Sequence, residues 1–226
     1  MKMTNQTKSW FSSIAMNSNS IFYKSFKEIQ HWVYILVKTW LPGLVRQLRY
    51  NFPDRIVMED IILPYFASRS EFKKILFVGC DWYTKHYQTY FKGKEYWTIE
   101  IDKEQSKYGA KNHINDGIQN LGKYVENNYF DLIIFNGVFG WGVNTKEDTE
   151  TSFQQCFQYL REEGILVFGW NDIPDAKPFP VLEECGNLQK FDSYFFPPLS
   201  TAQYLTPETA MRHTFNFYIK PVATAK

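Results

Sequence analysis

The sequence predicts an α/β fold in which a mostly parallel sheet carries helices on both faces, preceded by a helical arm. Three observations predict it. An apolar run of strand length, "KILFVG" (74–79), ends in a glycine turn. Strand-like and helix-like segments alternate from there onward. A closing stretch, "HTFNFYIKP" (213–221), alternates apolar and polar residues as a last strand would.

The elements follow in order. Residues 1–20 are rich in Ser, Asn and Thr and read as a flexible lead. Residues 21–70 read as the helical arm and 71–226 as the α/β domain. In the arm, Phe22, Phe26, Ile29, Val33, Leu36 and Trp40 fall at alternating fours and threes, an amphipathic helix. "LPG" at 41–43 interrupts it, and Pro42 can start a second short helix. A further helix through "VMEDIILPYFA" is expected before the first strand, bent or ended by Pro64. Then come strand-like "EYWTIEID" (95–102), helical "SKYGAKN" (106–112), a short strand in "NHIND" (112–116) and a buried strand in "YFDLIIFNGVF" (129–139). A helix over 149–164 ends at Gly164, and "GILVFGW" (164–170) is the next strand.

Bulk properties exclude several functions. A net charge of +1 gives no general case for nucleic-acid binding. The charge is uneven, since residues 1–55 hold eight bases against two acids while the remainder holds 17 against 22. Three scattered cysteines form neither a disulfide framework nor a metal pair, so no metal site and a reducing, cytoplasmic setting are expected. The first twenty residues lack the apolar core of a signal peptide. The apolar run from Trp32 to Val45 is interrupted by Lys38 and Pro42 and is too short to span a bilayer. The stripe from Phe22 to Trp40 is read as packing on the body or on a second copy. The sharper reading, peripheral membrane contact through residues 21–50, rests on the basic residues and on Trp32, Tyr34 and Trp40.

In such a sheet, ligands sit at the carboxyl ends of the strands. Gly79, Glu100, Asp102, Asp116, Asn136 and Asp172 all fall at those ends. Glu100 lies 21 positions after Gly79, near the spacing at which an acid reaches a ribose diol. The first loop, "VGCDWYT", carries Asp81 and Tyr83 where a dinucleotide loop wants glycines. A carboxylate there would repel a diphosphate. It would suit a cationic, phosphate-free nucleoside such as S-adenosylmethionine, whose ammonium pairs with an acid and whose sulfonium suits aromatic rings.

From about Lys73 to Lys220 the chain resembles a class I S-adenosylmethionine-dependent methyltransferase. The segments that carry the likeness are "ILFVGC" (75–80), "TIEIDKE" (98–104), "IND" (114–116), "FDLIIFNGVFGWG" (130–142) and "LREEGILVFGWND" (160–172). The resemblance implies a Rossmann-like fold with seven strands, the last antiparallel. It also implies a cofactor site. Val78, Gly79, Cys80, Asp81 and Tyr83 would hold the methionine part, and Glu100 the ribose, with Ile101 beside it and Asp102 as a helix N-cap. Asp116, Gly117 and Ile118 would meet the adenine, and Asn136, Gly137 and Val138 would lie near the methyl group. Phe77 stands where the family often has an acid.

Catalytic candidates are His86, and Asn136 in "NGVF", which echoes the Asn-Pro-Pro-aromatic signature of amino-group methyltransferases without its prolines. His213 is a weaker candidate base. The aromatic segment 191–210 is either a lid over the acceptor or a loop with its own aromatic cluster. The function expected is methyl transfer to a small-molecule or lipid-associated acceptor, with S-adenosylhomocysteine as product. The alternatives are an inactive, cofactor-binding partner subunit and a nicotinamide oxidoreductase, the latter opposed by Asp81.

Overall fold

The computed structural model describes residues 53–207 and 211–223. The sequence expectations for residues 1–52, including the amphipathic stripe, lie outside the described residues. The strands are β1 (Lys74–Val78), β2 (Glu95–Ile99), β3 (Asn112–Ile114), β4 (Phe130–Asn136), β5 (Leu160–Asn171), β6 (Asp192–Ser193), β7 (Gln203–Leu205) and β8 (His213–Ile219). Among the described residues the α-helices are α1 (Pro53–Ile56), α2 (Leu63–Ala67), α3 (Lys146–Tyr159) and α4 (Val181–Glu184).

The sheet runs β3-β2-β1-β4-β5-β8-β6, with β7 also paired to β8. The first five strands are parallel, and β8 runs antiparallel to β5. This is the expected fold class. The sheet has eight strands because the 191–210 segment adds β6 and β7, both antiparallel to β8.

Period-two alternation divides the apolar residues between two cores. Leu76, Val78, Ile133, Phe135, Leu166 and Phe168 face one side, where α3 packs with Phe153 and Cys156. Ile75, Phe77, Leu132, Ile134, Val167, Phe215 and Phe217 face the other, under Met58, Ile62, Leu63 and Phe66. The same second face takes the aromatic segment: Phe196 stacks on Phe217 at 4.2 Å and on Phe66 at 5.7 Å. Tyr194 meets Tyr65, hydroxyl to hydroxyl, at 3.2 Å. The first half of the segment therefore packs on α2 and β8 rather than forming an aromatic cluster of its own.

Local expectations shift in three places. Pro64 does not end its helix. Residues Val57–Ile62 widen into a π-helix, and the N–H of Leu63 reaches back to Met58 O, so the missing donor and the bulk of the proline ring are absorbed. The 106–112 helix is instead a 3₁₀ helix over Lys103–Tyr108, with Asp102 as its N-cap accepting from the Glu104 N–H. The helix expected to reach Gly164 stops at Tyr159, because Leu160 is fully buried and pairs with Phe130 as β5 begins. Residues between Leu160 and Ile165 bulge, with Glu163 at φ 57°, before the ladder resumes.

Asp131 fastens the lower edge of the sheet. Its Oδ2 accepts the N–H groups of Lys73 and Lys74 at 2.7 and 2.8 Å, and its Oδ1 accepts Arg161 Nε–H at 2.6 Å. One carboxylate thus joins the starts of β1, β4 and β5. Asp131→Ala is expected to lower unfolding stability by about 2–3 kcal/mol in chemical denaturation, since two backbone donors lose their acceptor.

Candidate active site

The residues singled out from sequence meet along the carboxyl ends of the parallel strands. Gly79 turns the chain at φ +87°, and an added Cβ would lie 2.8 Å from Val138 Cγ2. This close approach brings the turn after β1 against the turn after β4. The N–H of Gly79 donates to Ile99 O at 2.9 Å, which draws the end of β2 to the same place.

Glu100 joins these turns through its side chain. Oε2 accepts the Cys80 N–H at 2.9 Å, and Oε1 accepts the Asp102 N–H at 2.8 Å. Asn115 Nδ2–H donates to the Glu100 carbonyl at 3.0 Å, adding the loop after β3. Ile101 beside it is 70% exposed and lies across from Gly117, whose added Cβ would be 3.6 Å from Ile101 Cδ1. Ile118 is buried.

Asp116 is more committed than the sequence suggested. Oδ1 accepts from the Gly117 N–H and from Asn120 Nδ2–H, both at 2.8 Å. Oδ2 accepts the Tyr124 hydroxyl at 3.0 Å, and Lys123 Nζ lies 3.6 Å away. The Asn120 hydrogen bond first, then the others, holds the Asp116 carboxyl below its usual range. An adenine amino group arriving here would share Oδ2 with Tyr124.

In the first loop, Asp81 Oδ1 accepts the Trp82 N–H at 2.7 Å, and Thr84 Oγ1 bridges the N–H and carbonyl of Asp81 at 3.0 Å each. The acid therefore shapes the turn in which it sits. Tyr83 lies under Arg55, whose guanidinium carbon is 4.1 Å from the ring centroid. Arg55 also donates to the Tyr87 hydroxyl at 3.2 Å and pairs with Asp54 at 3.3 Å. Tyr83 thus ties the first loop to α1. Burial pushes the Cys80 thiol up to about 12, so it is a neutral packing group.

Two further groupings were not legible in the sequence. Glu59, 3% exposed on the π-helical turn, approaches His86 with Oε2 3.3 Å from Nε2. The widened turn sets where Glu59 lies, and no periodicity announces a π-helix. Asn136 and His213, 77 residues apart, meet at 3.1 Å between Oδ1 and Nε2. His213 Nδ1 lies 2.7 Å from Asn171 Oδ1. Gly169 makes the space, since a Cβ there would fall 1.8 Å from Asn136 Oδ1. The β8 register, His213 opposite Asn171, creates this contact. An end-of-strand histidine in a final antiparallel strand was its only sequence signal. Among the described residues, no group of three His, Cys, Asp or Glu side chains could hold a metal ion, and no helix is long and apolar enough to cross a membrane.

The arrangement fits a nucleoside with a diol and no phosphate. Each Glu100 oxygen spends one lone pair on a backbone N–H and keeps another for a hydroxyl. Exposed Ile101 offers an apolar face to a base.

Burial holds His213 down to about 4, against an ordinary value of 6.5. The unfolded chain takes up a proton near pH 6.5 while the folded one resists until about pH 4. This contribution to stability is complete above pH 6.5 and is lost as pH falls through that window, on the order of 3 kcal/mol in all. Denaturation midpoints measured from pH 7 to 4 should show the loss, and His213→Gln should flatten it.

Residues 76–168 match a family model described as a methyltransferase domain. Among solved structures, the chain is similar to the N-methyltransferase NodS from Bradyrhizobium japonicum WM9, with 12% identity and a TM-score of 0.55 over 71% of this chain and 93% of that one. A second NodS structure, in complex with S-adenosyl-L-homocysteine, has 11% identity and a TM-score of 0.52 over 80% and 89% of the two chains. A TehB-like SAM-dependent methyltransferase from Corynebacterium glutamicum has 15% identity and a TM-score of 0.52 over 79% and 100%. At these identities the structures speak for the fold. No curated protein sequence matches the chain. The family match runs from β1 to β5 on a sheet of the expected order, and it marks residues 76–168 as a methyltransferase domain.

Proposed function

We propose that this methyltransferase acts on a small-molecule or lipid-associated acceptor, with the cofactor laid along the carboxyl ends of β1, β2 and β3. The observation that carries the placement is Glu100. Its carboxylate is fixed by one N–H on each oxygen, and its remaining lone pairs suit the two hydroxyls of a ribose. Ile101 and Ile118 would pack on the adenine, with Gly117 giving the ring room. Val78 to Asp81 would hold the methionine part, with Tyr83 bracing the loop from outside. Asn136, Gly137 and Val138 would border the methyl group.

The cofactor supplies an electrophilic sulfonium methyl. The chain's contribution is to bind it rigidly and align the acceptor, and alignment alone can lower such a barrier by several kcal/mol. The small-acceptor reading is supported by the near-zero net charge and by Trp141, 57% exposed in the loop after β4, an aromatic surface at the acceptor end. His86, approached by buried Glu59, is the candidate to take a proton from an acceptor. The reading as an inactive partner subunit draws no support from the comparisons.

Calorimetric titration with S-adenosylhomocysteine tests the placement. Glu100→Ala should weaken binding at least tenfold, about 1.4 kcal/mol, and Glu100→Gln less. Gly79→Ala should also weaken it, because its backbone lies at φ +87°. Unchanged affinity in Glu100→Ala would remove Glu100 from the site. Tight NAD binding without S-adenosylhomocysteine binding would overturn the cofactor placement altogether.

A further inference from the structure

Asp172 follows the last residue of β5, and Arg212 precedes the first residue of β8. They meet because β8 runs antiparallel to β5, with Asn171 opposite His213. The Asp172 N–H donates to the Arg212 carbonyl at 3.2 Å, and the Thr214 hydroxyl donates to the same oxygen at 3.1 Å. These bonds hold Arg212 at φ 46°, in the left-handed region that an arginine seldom adopts. The backbone that carries the guanidinium is thereby fixed.

Asp172 gathers two cations. Oδ1 accepts Lys177 Nζ–H at 2.7 Å, and Oδ2 lies 3.6 Å from Arg212 Nη2. The Lys177 hydrogen bond first, with the Arg212 charge behind it, holds the Asp172 carboxyl below its usual range. Asp175, exposed in the same loop, pairs with neither cation. Two cations against one carboxylate leave a surplus of one positive charge. The 3.6 Å approach is longer than an ordinary hydrogen bond, so the guanidinium keeps its fork of donors for a further acceptor. Arg212 is also the outer partner, 55% exposed against 30% for Asp172.

This rim lies at the acceptor end of the sheet. His213 Nδ1 lies 2.7 Å from Asn171 Oδ1, and its Nε2 lies 3.1 Å from Asn136 Oδ1. Arg212 is thus one residue from a chain of contacts that reaches the proposed methyl position. The loop after β4 closes on the same rim. Gly140 sits against the Ala176 carbonyl, where an added Cβ would fall 2.0 Å from the oxygen, and Phe139 meets Phe179 edge-on at 5.7 Å. Exposed Trp141 therefore neighbours the loop that carries Lys177.

We propose that Arg212, with Lys177 beside it, binds a carboxylate on the methyl acceptor, whose apolar part rests on Trp141. The planar guanidinium fork matches a carboxylate as a bidentate pair. One carboxylate balances the surplus charge, whereas a phosphomonoester brings nearly two charges. The carboxylate is a handle, and another atom of the acceptor receives the methyl group. The inference rests on the proposed placement of the methyl group beside Asn136.

The test uses the full-length protein with saturating S-adenosylhomocysteine and three probes of similar shape: phenylacetate, phenyl phosphate and 2-phenylethanol. Titration by saturation-transfer NMR should show phenylacetate binding, phenyl phosphate more weakly and 2-phenylethanol at least about fivefold more weakly. Arg212→Gly relaxes the left-handed backbone, so it should melt no lower than the wild type while weakening phenylacetate at least about fivefold. Arg212→Lys keeps the charge without the fork and should fall between the two. Lys177→Gln, which leaves the backbone at Arg212 untouched, should also weaken phenylacetate. Absent phenylacetate binding, binding that survives in these variants, or equal binding of 2-phenylethanol would overturn the proposal. Tighter phenyl phosphate binding would overturn the carboxylate class. S-adenosylhomocysteine affinity in the same samples separates the two levels. Its absence strikes the cofactor placement, whereas its retention without probe binding strikes the carboxylate handle alone.

Discussion

The Glu100 carboxylate is the fastening on which the upper edge of this sheet depends. Parallel strands end with their turns side by side, and nothing in the ladder itself fixes one turn against the next. Glu100 does so with two charge-assisted hydrogen bonds, one to the turn after β1 and one to its own following turn, while its carbonyl receives Asn115 from the turn after β3. Three loops are thereby held in one arrangement before any ligand arrives. Preorganisation of this kind spares a binding site the ordering cost that would otherwise weaken affinity.

Asp131 does the corresponding work at the opposite edge, joining the starts of β1, β4 and β5. Between the two edges the sheet is held by side chains. Its two apolar cores follow from strict alternation along β1, β4 and β5, and the aromatic excess of the sequence is absorbed there. Phe153, Phe168, Phe139 and Trp170 form one contiguous group, and Phe66, Phe72, Phe196 and Phe217 another. The polar contacts that shape the candidate site gather at strand ends, where side chains can meet backbone donors without breaking the ladder.

Much of this was legible in the sequence, for identifiable reasons. Apolar runs of strand length located β1, β4 and β5, and the Gly79 to Glu100 spacing marked the turn and its acid. Asp102 was read as a cap and is one. What escaped reading depends on contacts distant in sequence or on backbone forms without a periodic signature. The π-helical turn that places Glu59 near His86 is one case. The early end of α3 is another, since Tyr159-Leu160 could continue a helix, and burial of Leu160 against β4 overrides that propensity. The Asn136–His213 contact needed the β8 register, which no local pattern supplies. Asp81 and Tyr83 read from sequence as ligand contacts, and their local contacts show that both build the loop.

The central claim is that Glu100 is at once the clasp of the loops and the ribose ligand. A crystal structure of the full chain with S-adenosylhomocysteine tests this most directly. The account predicts both ribose hydroxyls within hydrogen-bonding distance of Glu100, with its bonds to Cys80 and Asp102 retained. A cofactor bound with its ribose away from Glu100, or a Glu100 side chain released from those two N–H groups, would contradict it.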